Sequence, residues 1–296
     1  MGRTLVTGGA GFIGSHLSEQ LQKLGEEIII LDNFSTGKLK NLFPLKPQPL
    51  VIIYEVGSTM WGHLPDMQFD TLIHLAAPVS VEESLSNKEK YHDQIVDGSA
   101  LLFEWAIKQC GCKEIVVAST AAVYGDSRSF PLSENSDLDP LNPYATSKYM
   151  MEAVCKTVPD DVSVAVLRFF NVFGERQLNQ GGYLSAVPIF LKQYLSHKKL
   201  TVTGDGQQTR DFVYVKDVVD AIIAAIGTKG TWNVGSGQEV KIIDIAKAFS
   251  NNIEFIPARE EAKRSVSNIS KIKRDLGWTP QVSLINWIKS IKNEMG

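Results

Sequence analysis

The sequence predicts a doubly wound α/β fold, in which helices cover both faces of a parallel sheet. A glycine-rich turn joins the first apolar run to an amphipathic segment, and β-like runs then alternate with helical patterns as far as about residue 170. Regular alternation of this kind indicates a parallel sheet with crossover helices. The β-like runs are 3–7, 27–31, 50–54, 70–75, 114–119 and 162–168, and the helical patterns are 13–24, about 91–110 and 143–157.

The first turn has the spacing of a dinucleotide-binding fingerprint. Gly8, Gly11 and Gly14 follow the strand 3–7, and the helical spacing begins at Phe12 and Ile13, before the last of the three. In such a turn one glycine makes the bend, one lets the backbone approach a pyrophosphate, and one lets the helix pack on the strand. The helix start then presents free N–H groups and the positive end of its dipole to the phosphates.

Asp32 indicates which dinucleotide binds. It ends the second strand, about 20 residues after the turn, where an acid accepts hydrogen bonds from the adenosine ribose hydroxyls. An ionised carboxylate would repel a 2′-phosphate, so the sequence favours NAD over NADP. The side of the site that holds the adenosine is expected to include Asn33, Ser35, Thr36, Gly37 and Ser58.

The chain becomes less regular after residue 170. Loops rich in glycine and polar residues are expected at 174–183, 204–209 and 227–238, with helices at 242–251 and 283–294. We therefore expect a Rossmann domain for the cofactor over 1–173 and about 208–238. A smaller mixed α/β lobe, over about 174–207 and 239–296, is expected to bind the substrate.

Composition excludes several classes of partner. A net charge of −3 gives no reason to expect nucleic-acid binding, and no apolar run is long enough to span a membrane. Cys110 and Cys112 lack a second pair of ligands, and with Cys155 they are too few for a disulfide framework, so neither a metal site nor disulfides are expected. The first strand begins within five residues of Met1, and we therefore expect a cytoplasmic protein.

A catalytic pair is indicated at the start of the helix 143–157. Tyr144 and Lys148 lie four residues apart on one helical face, and Asn142 with Pro143 marks the helix start. A lysine charge near the phenol lowers the pKa of the tyrosine, which can then act as a general base. Thr120 ends the strand 114–119 at the edge of the sheet where ligands bind, so its hydroxyl is expected to contact the substrate. The alternative is that Thr120 caps the strand end.

Together these motifs resemble the extended short-chain dehydrogenase/reductases, and in particular the NAD-dependent epimerase/dehydratase family that modifies nucleotide sugars. The resemblance implies tightly bound NAD and a homodimer built on the helices near 91–110 and 143–157. It also implies cofactor contacts from Leu75, Ala76 and Ala77. The segments that carry it are Thr7–His16, Asp32, His74–Ala77, Ser119–Gly125, Tyr144–Lys148, Leu167–Gly174, Thr203–Gly206, Thr209–Tyr214, Asn233–Gly235 and Leu276–Pro280.

The shared first step of the family is removal of the O4 proton of the sugar by the tyrosine while NAD takes the C4 hydride. Dehydratases of the family carry Asp and Glu directly after the catalytic Thr, and decarboxylases carry a Glu just before Val-Tyr-Gly. Ala121 and Ala122 stand at those places and cannot move a proton. The resemblance therefore implies a 4-epimerase of UDP-hexoses. A 4-ketoreductase, a decarboxylase and a non-catalytic NAD-binding protein remain the alternatives.

The resemblance also implies which residues contact the substrate and limit its size. Arg210 and Arg259 match the arginines that hold the diphosphate, and Asn171 matches a phosphate or sugar ligand. Ser265 stands where epimerases of the family carry a residue that limits substrate size, and a small Ser there implies acceptance of N-acetylated UDP-hexoses. Ile95 and Ala262 depart from the family pattern, where Asn and Asp are usual, as does Pro78 after Ala77.

Overall fold

The computed structural model describes residues 2–57, 64, 67–127, 129–177, 185–258 and 262–295. These residues form one large sheet, three two-stranded sheets and flanking helices. The strands are β1 Arg3–Thr7, β2 Glu27–Asp32, β3 Leu50–Ile53, β4 Thr71–His74, β5 Glu114–Thr120, β6 Ser163–Phe169, β7 Asn171–Phe173, β8 Leu200–Thr203, β9 Thr209–Arg210, β10 Phe212–Tyr214, β11 Gly230–Val234, β12 Val240–Lys241 and β13 Ile253–Ile256.

The helices include each of those that the sequence predicts. A π turn, Asp93–Asp97, joins the helices Lys88–His92 and Gly98–Lys108 into one continuous segment. The helical pattern near 91–110 is therefore confirmed, and it consists of more than one element. The helices are α1 Phe12–Lys23, α2 Val81–Ser86, α3 Lys88–His92, α4 Gly98–Lys108, α5 Pro143–Cys155, α6 Ala186–Leu195, α7 Val215–Ala225, α8 Ile242–Phe249, α9 Ser270–Leu276 and α10 Leu284–Met295.

The large sheet has seven strands in the order β3-β2-β1-β4-β5-β6-β11, and all neighbours are parallel. The strand order reverses between β1 and β4. Such a reversal opens a crevice outside the carboxyl ends of these strands, which is where ligands bind in open α/β sheets. The predicted doubly wound fold is therefore confirmed.

Both faces of the sheet are covered by apolar packing, which is why its strands are continuous apolar runs. One face packs on α1 and α7, as Leu17 and Ile222 illustrate. The opposite face packs on α4 and α5 through Phe103, Trp105 and Met151, each at most 3% exposed. Phe103, Trp105 and Met151 therefore fill the core and do not lie on the surface.

The carboxyl-terminal part of the chain contains more regular structure than the sequence suggests. The interpretation of 227–238 as a loop is wrong, because β11 lies within it and completes the sheet, with Trp232 opposite Leu167 of β6. A polar Asn233 in the strand and flanking glycines hide this strand in the sequence. Helices α6, α8 and α10 enclose a separate apolar cluster with the small sheets. Among the described helices, none is both long and apolar enough to cross a bilayer.

Candidate active site

Several of the predicted site residues, together with His74, lie along one edge of the large sheet. Thr7 with Gly8, Asp32, His74 and Thr120 lie at the carboxyl ends of β1, β2, β4 and β5 respectively. Parallel strands bring their carboxyl ends to the same edge, and β1 and β4 flank the reversal of strand order. The parallel sheet therefore brings these residues together at the crevice.

The glycine-rich turn has the close backbone contacts that its spacing predicts. Gly8 has φ +71°, and its N–H donates to the carbonyl of Leu31 at 2.8 Å. A Cβ on Gly14 would overlap the carbonyl oxygen of Gly8 and lie 2.8 Å from the Cα of Gly9. Gly11 caps α1 without a side chain, so the helix start presents backbone N–H groups, as a pyrophosphate site requires.

Asp32 is buried at the end of β2, and its carboxylate is oriented by the backbone. One oxygen accepts from the N–H of Ala10 at 2.9 Å and the other from the N–H of Phe34 at 2.8 Å. Burial raises the pKa of Asp32 above its ordinary value, while both of these hydrogen bonds oppose the rise. A Cβ on Gly37 would lie 2.7 Å from the Asp32 carboxylate, so Gly37 lets the following loop pack over it. This arrangement fits an adenosine ribose.

His74 is a buried residue of this edge that the sequence interpretation did not assign a role. Its ring lies between Thr7 Oγ1, at 2.8 Å from Nδ1, and Ser99 Oγ, at 3.0 Å from Nε2. Burial, with a contribution from Lys148, lowers the pKa of His74 to about 3, so the ring is neutral. The sequence signals were an imidazole in an apolar strand and the segment His74–Ala77, which is one of those that carry the family resemblance.

The proton positions around His74 follow from its neighbours. Ser99 donates its hydroxyl proton to the carbonyl of Ile95 at 2.5 Å and so accepts from His74 Nε2. Nδ1 is then the acceptor for the Thr7 hydroxyl. The oxygen of Thr7 in turn accepts from the N–H groups of Leu75 and Ala76 at 3.2 and 3.1 Å. The network thus fixes the predicted cofactor loop, Leu75–Ala77, against the end of β1.

Thr120, Tyr144 and Lys148 lie on two adjoining elements. Asn142 accepts from the N–H of Ala145 at 2.9 Å and starts α5, which places Tyr144 in its first turn. Lys148 is 3% exposed, donates to the carbonyl of Ala118 in β5 at 2.8 Å, and has its pKa lowered to about 8 by burial. The Thr120 oxygen accepts from the N–H of Ala122 at 3.1 Å, so it also caps the turn after β5.

Two of the predicted substrate ligands, Asn171 and Arg210, adjoin a second buried residue, Asp211. Its carboxylate accepts five hydrogen bonds, of 2.5–3.0 Å, from Ser236, Gly237 and Ser267. The side chain of Asn171 donates to the Asp211 carbonyl at 3.0 Å, and Arg210 precedes it on β9. Ser265 lies two residues before Ser267. The structure thus brings Asn171, Arg210 and Ser265 into one neighbourhood, and sequence reasoning missed its centre.

The remaining predicted residues differ in their placement. Asn33, Ser35 and Thr36 are exposed beside Asp32, where the Asn33 side chain accepts from the N–H of Ser35 at 2.9 Å. Ser58 and Arg259 lie outside the described residues. Within the described ranges, no three metal-ligating side chains cluster.

The parallel sheet and its glycine-rich turn are those of a Rossmann-class α/β protein, and comparisons with known proteins give its family. Residues 4–235 match the model of the NAD dependent epimerase/dehydratase family. The chain is 34% identical over 301 residues to a putative UDP-glucose 4-epimerase of Methanocaldococcus jannaschii, covering 98% of this chain and 97% of that one.

Two further relatives show the spread of activities. A UDP-N-acetyl-alpha-D-glucosaminuronate decarboxylase of Bacillus cytotoxicus is 33% identical over 326 residues, covering 99% of each chain. The UDP-glucose 4-epimerase of Thermotoga maritima, solved with UDP-glucose, superimposes with a TM-score of 0.86 at 30% identity, covering 99% of this chain and all of that one. The chain belongs to the NAD-dependent epimerase/dehydratase family, and its cofactor is NAD.

Proposed function

We propose that this enzyme is a 4-epimerase of UDP-hexoses that retains its NAD. The observation that carries the proposal is the turn Ala121–Tyr124, which begins directly after Thr120. Its first two side chains are methyl groups, so this turn supplies no acid to expel a hydroxyl and no acid of the kind that decarboxylases carry. Return of the hydride to C4 is then the outcome that the turn favours.

The chain's own residues would hold the cofactor and move one proton. The α1 start and the Gly8 turn bind the pyrophosphate, and Asp32 binds the adenosine ribose. NAD, when bound, supplies a reversible hydride acceptor for the sugar carbon. Tyr144 takes the O4 proton and later returns it, while Lys148, mostly an ammonium ion at pH 7, favours the phenolate. Thr120 accepts from Ala122 and can donate its own proton to O4.

Epimerisation also requires the 4-keto sugar to present its opposite face. We propose that Arg210 and Arg259 grip the diphosphate with Asn171 beside them, since guanidinium groups bind phosphate oxygens bidentately. A firm hold on the nucleoside diphosphate leaves the hexose to rotate. We propose that 1–173 and about 208–238 form the NAD-binding part, from which Asn171 and Arg210 contact the nucleotide sugar, and that about 174–207 and 239–296 form the nucleotide-sugar-binding lobe.

The test is an NMR assay of the purified enzyme with UDP-glucose, UDP-N-acetylglucosamine and UDP-glucuronate, without added cofactor. Appearance of a C4 epimer supports the proposal. Release of CO₂ from UDP-glucuronate would instead favour a decarboxylase, the activity named for the Bacillus cytotoxicus relative. Turnover of a 4-keto sugar that occurs only with added NADH or NADPH would favour a 4-ketoreductase.

Ser265 gives a sharper test of substrate size. We propose that this small, half-buried side chain leaves room for an N-acetyl group. Ser265→Tyr should abolish turnover of UDP-N-acetylglucosamine and spare UDP-glucose, whereas Ser265→Ala, the matched control, should spare both. Loss of both activities in the Tyr variant, or of neither, would contradict the assignment of Ser265 as the gate.

We further propose a homodimer built on α4 and α5. Tyr149 and Met150 of α5 are 43% and 39% exposed, although their neighbour Met151 is fully buried. Exposed apolar side chains on one helix face suit a helix-to-helix contact with a second copy. Light scattering should give twice the chain mass, and Met150→Glu should shift it towards the monomer.

A further inference from the structure

A buried polar network ties α5 to the sheet beneath it. Glu152 lies one helical turn beyond Lys148, and its carboxylate accepts from Arg168 Nε at 3.0 Å and from Nη2 at 2.7 Å. It also accepts from Ser119 Oγ at 2.5 Å. Ser119 directly precedes Thr120, and the residues Ser119, Glu152 and Arg168 are each at most 6% exposed. Glu152 therefore joins α5 to β5 and β6 next to the proposed acid–base residues.

The network continues across the sheet. Arg168 Nη1 donates to Tyr124 Oη at 3.0 Å, and Tyr124 donates to Asn233 Oδ1 at 2.6 Å. Asn233 of β11 then donates to the carbonyl of Leu132 at 2.9 Å. Because each member is held by defined partners in a water-poor interior, the network permits one arrangement of these side chains.

Stability alone does not account for this ion pair. Removing two charges from water costs several kcal/mol per ion, and well-packed apolar residues often stabilise a protein as much. A buried pair is better explained where it fixes a geometry. Here it fixes the turn of α5 that carries Lys148 against the end of β5 that carries Thr120.

We propose that Glu152 is a positioning residue for the acid–base reaction: its carboxylate holds Lys148 and Thr120 in register and supplies the negative charge that keeps Lys148 an ammonium ion. The proposal rests on the proposed roles of Thr120, Tyr144 and Lys148. Glu152 itself touches none of the reacting atoms and acts through its neighbours.

The charges around Lys148 support this role. Burial lowers the pKa of Lys148 to about 8, and Cys155 and Glu152 of the same helix oppose that change. Burial raises the pKa of Cys155 to about 12, so this thiol is neutral when Lys148 titrates. His74 of β4 also faces Lys148 and is neutral. The Glu152 carboxylate, which Arg168 also contacts, thus opposes deprotonation of Lys148.

The experiment is a pH titration of the NAD-bound enzyme with two readouts. The first is the ultraviolet absorbance of tyrosinate, assigned to Tyr144 by its loss in Tyr144→Phe, and the second is the pH profile of kcat/KM for UDP-glucose. Glu152→Gln should raise the pKa of Tyr144. It should also shift the basic limb of the kcat/KM profile to a pH about one unit lower. At pH 8, where about half of the wild-type Lys148 is still charged, kcat should fall about fivefold, with KM changed less than twofold.

Two further variants separate this role from a structural one. Tyr124→Phe removes two hydrogen bonds from the same network, those with Arg168 and Asn233, but keeps Glu152 and should leave both readouts at their wild-type pH. Glu152→Asp keeps the charge on a shorter side chain and should restore the basic limb but not the full kcat. An unchanged limb in Glu152→Gln, or an equal shift in Tyr124→Phe, would overturn the proposal.

Folding failure has its own control. If Glu152→Gln does not fold because Arg168 is left unpaired, the double variant Glu152→Gln/Arg168→Met removes both charges and should still shift the tyrosinate titration. Failure of the proposed function is a separate result, since a wild-type enzyme that forms no epimer still reports its tyrosinate titration. A folded double variant with a wild-type titration would contradict the role of Glu152.

Discussion

The neutral state of His74 predicts an acid-sensitive stability that one substitution should remove. Burial lowers the pKa of His74 to about 3 in the folded protein, whereas an exposed histidine titrates near about 6.5. Below about pH 6.5 the unfolded chain therefore binds a proton that the folded chain excludes. The stability that His74 contributes is complete above this pH and is lost as the pH falls towards about 3.

The size of the effect follows from the two pKa values. Each pH unit between them changes the free energy of unfolding by about 1.4 kcal/mol, so His74 accounts for a loss of about 2 kcal/mol between pH 7 and pH 5. The ring is fully buried, so solvent screening does not reduce this figure. A protonated ring would also place a second cation beside Lys148.

The assay is urea unfolding of wild type and His74→Gln at several pH values between 7 and 5, at one NAD concentration. Loss of the Thr7 and Ser99 hydrogen bonds destabilises the variant at every pH, but the difference between the two proteins should shrink by about 2 kcal/mol as the pH falls. His92→Gln, at a half-buried histidine at the end of α3, is the matched control and should follow wild type. A difference that stays constant with pH would refute the neutral, buried assignment of His74.

Two further substitutions test the turn and the substrate cluster. Gly14→Ala places a Cβ against the backbone of Gly8 and Gly9, so we expect a loss of about 1–3 kcal/mol of stability and less NAD per purified chain. NAD content equal to wild type would contradict the close approach. Asp211→Asn leaves N–H groups of Gly237 and Ser267 without a carboxylate, so KM for the UDP-sugar should rise about tenfold while kcat changes little. Exposed Asp244→Asn is its control, and an equal KM in both variants would contradict the role of Asp211.

The fold was predictable from the sequence to the extent that its signals are local. The turn at Gly8 to Gly14, the strand ending in Asp32 and the cap at Asn142 are each specified by a few neighbouring residues, and the structure contains the elements that they predict. Strand β11 was missed because Gly230 and Asn233 interrupt its apolar pattern. Its place in the sheet is set by pairing with β6, about 65 residues earlier in the chain.

The candidate site was predictable where a residue type and a strand end coincide. Asp32 and Thr120 carry that signal, whereas Tyr144 and Lys148 are marked by their spacing on α5, and the roles of all four remain predictions. Asp211 and Glu152 lacked it, because a carboxylate in a sequence gives no indication of whether it faces water or buried donors. Only the packing of distant segments, such as Ser267 on Asp211, makes that distinction.

The buried polar residues His74, Glu152 and Asp211 each lie where two elements meet, which explains why the fold tolerates them. His74 joins β4 to β1, Glu152 joins α5 to β5 and β6, and Asp211 joins the Arg210 strand to the Ser267 segment. Each lies at the boundary of two elements that carry different predicted ligands, and none lies in the middle of an apolar face. An apolar contact there would hold the elements together but would let them slide, since dispersion and burial are non-directional. Hydrogen bonds of fixed length do not permit that sliding, and a reaction that moves one proton between fixed groups needs such constraint.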